Sequence, residues 1–249
     1  ILVCAVIVWT IGRAIHEQKN ARAFKADAGL FKRTARYGLK FHVSIIAAFL
    51  IIRADLLIVN HFRGSSETAV YSVASQVASL LLLLPGIVAT LLFPRITSAQ
   101  ATSAEFTMRV TRHMSLVMLA ICVAAAPLSF ALPLVYGAAF ADAPVQLLIL
   151  LPGVFLMGLE SVLVQYFNSR GVPKVIPAFW VLLQVINVLL NILFVPRFGA
   201  RAAALSSTLC YTLVFLFVAI YFLRETGNSA AETFVPRRGE LRELLRMRR

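Results

Sequence analysis

Apolar residues in this chain run in blocks of about 20, separated by short polar stretches. An α-helix of that length crosses ~30 Å of hydrocarbon. Seven blocks are predicted as helices, at 1–14 (shorter than the rest), 40–61, 71–93, 114–135, 145–167, 175–195 and 202–223. The first, "ILVCAVIVWTIG", opens without a Met, a basic n-region or a small-residue cleavage site. It reads as the end of a spanning helix rather than a signal peptide, and the chain as a C-terminal portion of a longer protein.

Composition agrees with the blocks. Of 249 residues, 60% are hydrophobic and 14% charged. A mean hydropathy of +0.84 leaves too few polar residues to clothe a soluble surface. The net charge of +13 would point to nucleic acid in a soluble protein. Here the basic residues sit in the connections and the tail, where they meet anionic lipid headgroups, so no nucleic-acid partner is expected. Cys4, Cys122 and Cys210 lie apart in apolar blocks and form no disulfide or metal framework.

Charge also orients the chain. Summed over alternate connections, one side carries 20 Lys and Arg and the other 3, namely Arg63, Arg197 and Arg201. The basic side takes in the 15–39 stretch and the 224–249 tail, and is predicted to be cytoplasmic. In the tail, Leu241, Leu244 and Leu245 have the spacing of a short helix lying on lipid. A disordered basic tail reads equally well.

Polar residues inside the blocks are the candidate functional groups, because lipid exposure is costly. An Arg at a helix centre costs roughly 2.5–3.5 kcal/mol. Arg53 lies near the middle of "IIAAFLIIRADLLIVNHF" and should face protein or water. In a continuous helix it shares a stripe with His42 and Asn60, while Asp55 points almost oppositely, in line with Ser44. Gln184, Asn187 and Asn191 form another stripe, and Ser72, Ser75, Gln76 and Ser79 a third. Glu160 stands in the 145–167 block, after Pro152–Gly153. The pairs Pro85–Gly86 and Pro152–Gly153 predict helix breaks. The Ser and Asn stripes can also simply join helices, at ~0.6 kcal/mol per hydrogen bond. Asp55 can serve as a cap or pair with a neighbouring helix, and His42 can be an interfacial anchor.

No P-loop, dinucleotide-binding glycine motif, paired-histidine zinc motif or nucleophile elbow occurs. The loops are too short for a catalytic domain, so the protein is not expected to be an enzyme.

Three stretches carry a resemblance, over about residues 36–223. The first holds Asp55, Gly64, Tyr71, Pro94 and Ile96; the second Tyr136, Gly137, Phe140, Ala143, Gly171 and Pro173; the third Asn187, Leu190, Asn191, Pro196, Gly199, Ala200, Ala203 and Ala204. Their order resembles the O-antigen and exopolysaccharide flippases of the multidrug/oligosaccharidyl-lipid/polysaccharide exporter superfamily. Arg201 departs from it, standing where the family often has Gly.

The resemblance implies an all-α polytopic membrane protein of about seven transmembrane helices. The last six would form one lobe of a two-lobed exporter-type transporter. Residues 1–14 would end the last helix of an absent N-terminal lobe, 15–39 would be the cytoplasmic inter-lobe linker, 40–223 the C-terminal lobe and 224–249 a cytoplasmic tail. The implied function is flipping of undecaprenyl-diphosphate-linked oligosaccharide across the bacterial inner membrane by alternating access, in concert with polysaccharide polymerase machinery. Arg53 is not part of the resemblance; on its charge alone it would attract the diphosphate, and Gln76, Gln184, Asn187 and Asn191 would hydrogen-bond sugars. Asp55, Glu160 or His42 would bind a coupling H⁺ or Na⁺, with no other cofactor. A cation-coupled multidrug exporter of the same superfamily is the alternative, and a non-transporting or enzymatic component of polysaccharide assembly the third reading.

Overall fold

The computed structural model describes residues 53–98, 103–171 and 173–235. The first predicted block, most of the second, the 15–39 stretch, His42, Cys4 and the tail leucines lie outside the described residues.

The described chain is helical, with no strand among the described residues. Its first helix, α1 (Ala54–Leu81), is interrupted at Gly64, whose φ of 82° and ψ of 176° are not helical. In a straight helix Asp55 and Tyr71 would stand ~24 Å apart, at 1.5 Å per residue. Instead the Tyr71 hydroxyl donates to Asp55 Oδ2 at 2.7 Å. The chain therefore folds back at Gly64 into antiparallel arms, 54–63 and 65–81. Glycine occupies this corner because a Cβ would be strained there.

Leu82 separates α1 from α2 (Leu83–Ser98). The break falls three residues before Pro85, which has no N–H to offer the carbonyl of Leu81. Helix α3 (Ser103–Leu128) follows, then the short α4 (Leu132–Tyr136) and a tight turn at Gly137. Helices α5 (Ala143–Asn168), α6 (Val175–Phe198) and α7 (Ala200–Thr226) complete the bundle. A one-turn helix, α8 (Ala230–Phe234), begins with a capping box between Ser229 and Glu232.

Pro152–Gly153 does not break its helix as expected: α5 is continuous from Ala143 to Asn168. The backbone there is supported from α7, whose Thr208 Oγ1 donates to the Ile149 carbonyl at 2.7 Å. Gly153 is a packing residue. A Cβ on it would stand 2.8 Å from Thr208 Cα, so its bareness is what lets α5 and α7 approach. The small residues Ala200, Ala203, Ala204 and Ser207 of α7 are buried as well. Farther along, Tyr166 of α5 meets Phe222 of α7 edge-to-face, with ring centroids 5.0 Å apart.

The opposite surface is apolar. Val181, Leu182, Val185, Leu189 and Leu193 of α6 are all exposed. Water would penalise such a surface and lipid does not. Five helical stretches are long and apolar enough to cross a membrane: Ala54–Ile96, Ala104–Tyr136, Ala138–Asn168, Val175–Phe198 and Ala200–Thr226. The first contains the Gly64 fold-back and so comprises two arms.

The two ends of the bundle are joined differently. At one end, Glu67 Oε2 accepts from Arg63 Nε at 2.8 Å, and its Oε1 accepts from the Ala200 backbone N–H at 2.6 Å. Arg201 Nη2 meets Asp142 Oδ1 at 2.9 Å. These bonds bring the turns at Gly64, at 137–142 and at Gly199 together. At the other end, Arg112 donates to the Glu232 carbonyl, and Arg170 approaches Glu225 at 4.0 Å.

Candidate functional site

The site is built around Asp55, in the first turn of α1. Its Oδ1 accepts the Leu56 N–H at 2.8 Å and its Oδ2 accepts the Tyr71 hydroxyl at 2.7 Å. Ser207 of α7 also bonds to the Tyr71 hydroxyl. The fold-back at Gly64 thus holds a carboxylate from one arm against a phenol from the other.

A small cavity of about 30 Å³ adjoins this carboxylate. Besides Asp55, its polar lining comes from Gln184 and Asn187 of α6 and from Ser207 and Tyr211 of α7. It has room for about one water molecule or a bare cation. A carboxylate oxygen, amide oxygens and hydroxyls form a hard oxygen donor set, which suits H⁺ or an alkali cation better than a transition metal. Among the described residues, no group of three or more His, Cys, Asp and Glu could hold a metal ion.

Asn187 and Asn191 are both buried, and the Asn191 amide donates to Asn187 Oδ1 at 3.0 Å. Asn191 thereby fixes the orientation of the cavity amide. Its own Oδ1 has no hydrogen-bond partner among the described residues. Trp180 forms another wall of the cavity and hydrogen-bonds Glu160 of α5. Glu160 is 2% exposed, and its Oε1 has no partner among the described residues. One indole therefore stands between two carboxyl groups that lie 105 positions apart in the sequence.

The other candidate residues are placed as follows. Arg53 is half-buried at the N-cap of α1, with φ of −103° and ψ of 10°. It does not line the small cavity but acts on Asp55 and Tyr211 through its charge. The two residues were expected on opposite sides of one helix. Arg53 instead stands at the N-cap of α1, ahead of the helix that carries Asp55. Asn60 and Gln76 are exposed. The hydroxyls of Ser72, Ser75 and Ser79 bond back to carbonyls of their own helix, at 2.8, 3.1 and 2.8 Å.

Sequence reasoning did not single out Trp180, Ser207 or Tyr211. Aromatic and small residues within apolar blocks read as packing. Only the fold-back and the meeting of α6 with α7 set them beside Asp55.

The fold defines an all-α multi-pass membrane protein. Residues 2–145, more than half of the chain, match the family described as polysaccharide biosynthesis protein, and the chain belongs to that family. The match includes Asp55, the Gly64 turn and Tyr71. No curated protein and no solved structure matches the chain.

Proposed function

We propose that the protein moves a lipid-linked oligosaccharide, carried on undecaprenyl diphosphate, across the bacterial inner membrane for surface polysaccharide synthesis. The described helices belong to the C-terminal lobe, which rocks against an N-terminal lobe to expose a shared cavity to each side in turn. The basic connections and the C-terminus face the cytoplasm.

Asp55 is the coupling residue. The observation that carries this reading is its carboxylate, set within a spanning region against a cavity of about 30 Å³ and braced by Tyr71 at 2.7 Å. Such a group exchanges H⁺ or Na⁺ without dismantling its surroundings. Occupancy of the site changes the charge between the α1 arms and α6–α7, and so biases one arrangement of the helices over another. Arg53, two residues before Asp55, attracts the diphosphate. Gln184 and Asn187 serve the cavity, and Gln76, exposed on its helix, is free to meet sugar hydroxyls.

The test uses the full-length protein in a strain lacking its own copy. Asp55→Asn and Arg53→Ala should abolish surface glycan and accumulate lipid-linked precursor at normal protein levels. Arg53→Lys should retain part of the activity. Normal glycan with Asp55→Asn would remove the coupling role, and normal glycan with Arg53→Ala would remove the diphosphate role. The two carboxyls Asp55 and Glu160 also suit a cation-coupled drug exporter. Loss of ethidium export with unaltered glycan in the deletion strain would favour that second reading.

A further inference from the structure

Two bonded rungs tie the α1 hairpin to α7. The inner rung runs from Asp55 on the first arm, through Tyr71 on the second, to Ser207 of α7. The outer rung lies at the Gly64 corner. It runs from Arg63 on the first arm, through Glu67 on the second, to the Ala200 N–H of α7, at 2.8 and 2.6 Å. Each rung crosses the same three elements in the same order. Tyr71 follows Glu67 by four positions and Ser207 follows Ala200 by seven, so one face of the second arm and one face of α7 carry both.

The outer rung is a helix cap supplied from another helix. The N-cap of α7 is Gly199, which has no side chain to offer the first N–H groups. Glu67 Oε1 takes that role, and its charge meets the positive end of the helix dipole. Gly199 is bare where Glu67 arrives: a Cβ there would run into the carboxylate. Glu67 keeps 29% of its side chain accessible, so water can enter the contact when it parts.

The inner rung depends on the charge of Asp55. The Tyr71 proton goes to Asp55, so the Ser207 proton goes to Tyr71, and both donors point toward the carboxylate. A hydrogen bond to an ionised acceptor is roughly twice as strong as one between neutral groups. Neutralising Asp55 therefore weakens the inner tie and leaves the outer rung to hold the hairpin to α7.

We propose that Glu67 is a latch on the turn end of the bundle, released when Asp55 takes up its coupling ion. The inference rests on the proposed coupling role of Asp55 and adds the motion which that role drives. With the latch parted, the hairpin leaves α7, and the polar cleft lined by Arg63, Ser66, Glu67, Asp142 and Phe198 widens. Glu67 is a positioning residue, because it does not line the cavity beside Asp55. Ion binding and opening are linked reciprocally: whatever factor the ion adds to opening, opening adds to ion affinity.

The experiment is double electron–electron resonance on the full-length protein in nanodiscs. Spin labels replace the exposed Ser65 and Arg197, next to Ser66 and Phe198 of the cleft, in a background without other cysteines. Asp55→Asn stands for the neutralised carboxylate and should raise the ratio of longer to shorter distances about fivefold. Glu67→Ala should raise it about tenfold with Asp55 intact. Glu67→Gln keeps the acceptor for Ala200 without the charge, and should fall between Glu67→Ala and wild type. Ser229→Ala breaks the capping box of α8 at the opposite end and should leave the ratio unchanged. In proteoliposomes, Glu67→Ala should lower the ion concentration for half-maximal transport about fivefold, which loss of a purely structural cap does not do. The groups around Asp55, namely Arg53, Tyr71, Gln184, Asn187 and Tyr211, are untouched by that variant.

A wild-type ratio in Glu67→Ala overturns the latch, and a wild-type ratio in Asp55→Asn overturns its link to the ion. Opening in Ser229→Ala also overturns the inference, because the labels then report general loosening. An unshifted ion dependence in Glu67→Ala does the same. Glycolipid transport separates the two proposals. Intact transport with a wild-type ratio in Glu67→Ala removes the latch and leaves the function. Opening in both variants of a protein that moves no glycolipid does the reverse.

Discussion

Tyr71 donates a 2.7 Å hydrogen bond to Asp55, although sixteen positions and a reversal of the chain lie between them. The bond closes the hairpin at Gly64 and orients the carboxylate at the cavity. A hydrogen bond to a charged acceptor contributes about 1.5–3 kcal/mol. Tyr71→Phe should therefore keep the fold but, because the lost donor stabilised the ionised carboxylate, lower the H⁺ concentration needed for half-maximal transport by about tenfold or more. Transport measured against external Na⁺ and against pH checks this. An unchanged ion dependence would separate Tyr71 from the coupling step.

Gly153 and Gly86 both follow a proline inside a helix, yet they should respond oppositely to alanine. An added Cβ at Gly153 meets the backbone of Thr208 at 2.8 Å, whereas at Gly86 nothing lies within 4 Å. Gly153→Ala should cost about 1–3 kcal/mol through overpacking. Gly86→Ala should be neutral or stabilise by up to ~1 kcal/mol, through lower unfolded-state entropy. Unfolding of the full-length protein in mixed micelles measures both. Equal losses would mean that α5 and α7 are not in close contact there.

The two turn glycines Gly199 and Gly137 have φ of 66° and 99°, so alanine strains both. They differ in their surroundings. A Cβ at Gly199 collides with the Glu67 carboxylate, while Gly137 faces open space. Gly199→Ala should lower the melting temperature clearly more than Gly137→Ala. Adding Glu67→Ala should narrow that difference, because the colliding group is gone. A difference that persists in the double variant would point to backbone strain alone.

Trp180 and Glu160 should be coupled energetically. Trp180→Phe removes a hydrogen-bond donor from a buried carboxyl group, at a cost of about 1–3 kcal/mol. With Glu160→Leu already present, the same change should cost measurably less. A double-mutant cycle of unfolding free energies reads the coupling directly. Additive losses would show that the indole acts only by packing.

Much of the architecture was legible in the apolar blocks. The run lengths predicted spanning helices, and the alternating charge predicted which connections share an end. The ion pairs and hydrogen bond linking Arg63, Glu67, Ala200, Asp142 and Arg201 join the three turns on the sparsely charged side. Pro152–Gly153 misled, because a proline flanked by close helices can remain in a continuous helix when a neighbour such as Thr208 supports the local carbonyls. The Ser72–Ser79 stripe was visible as a pattern, but hydroxyls in an apolar helix can satisfy themselves on the preceding turn, and these do.

By itself the sequence determined that the chain enters a membrane as helices, where it turns, and which polar residues must find partners there. Run length and charge are local quantities, and the bilayer imposes a simple rule on them. Only the tertiary structure decided that Asp55 bonds Tyr71 and shares with Asn187 and Tyr211 a cavity that Arg53 does not line. Helical periodicity gives the angle of a residue on its own helix. The rotation of that helix, and the neighbour each face receives, follow from how all the helices pack at once.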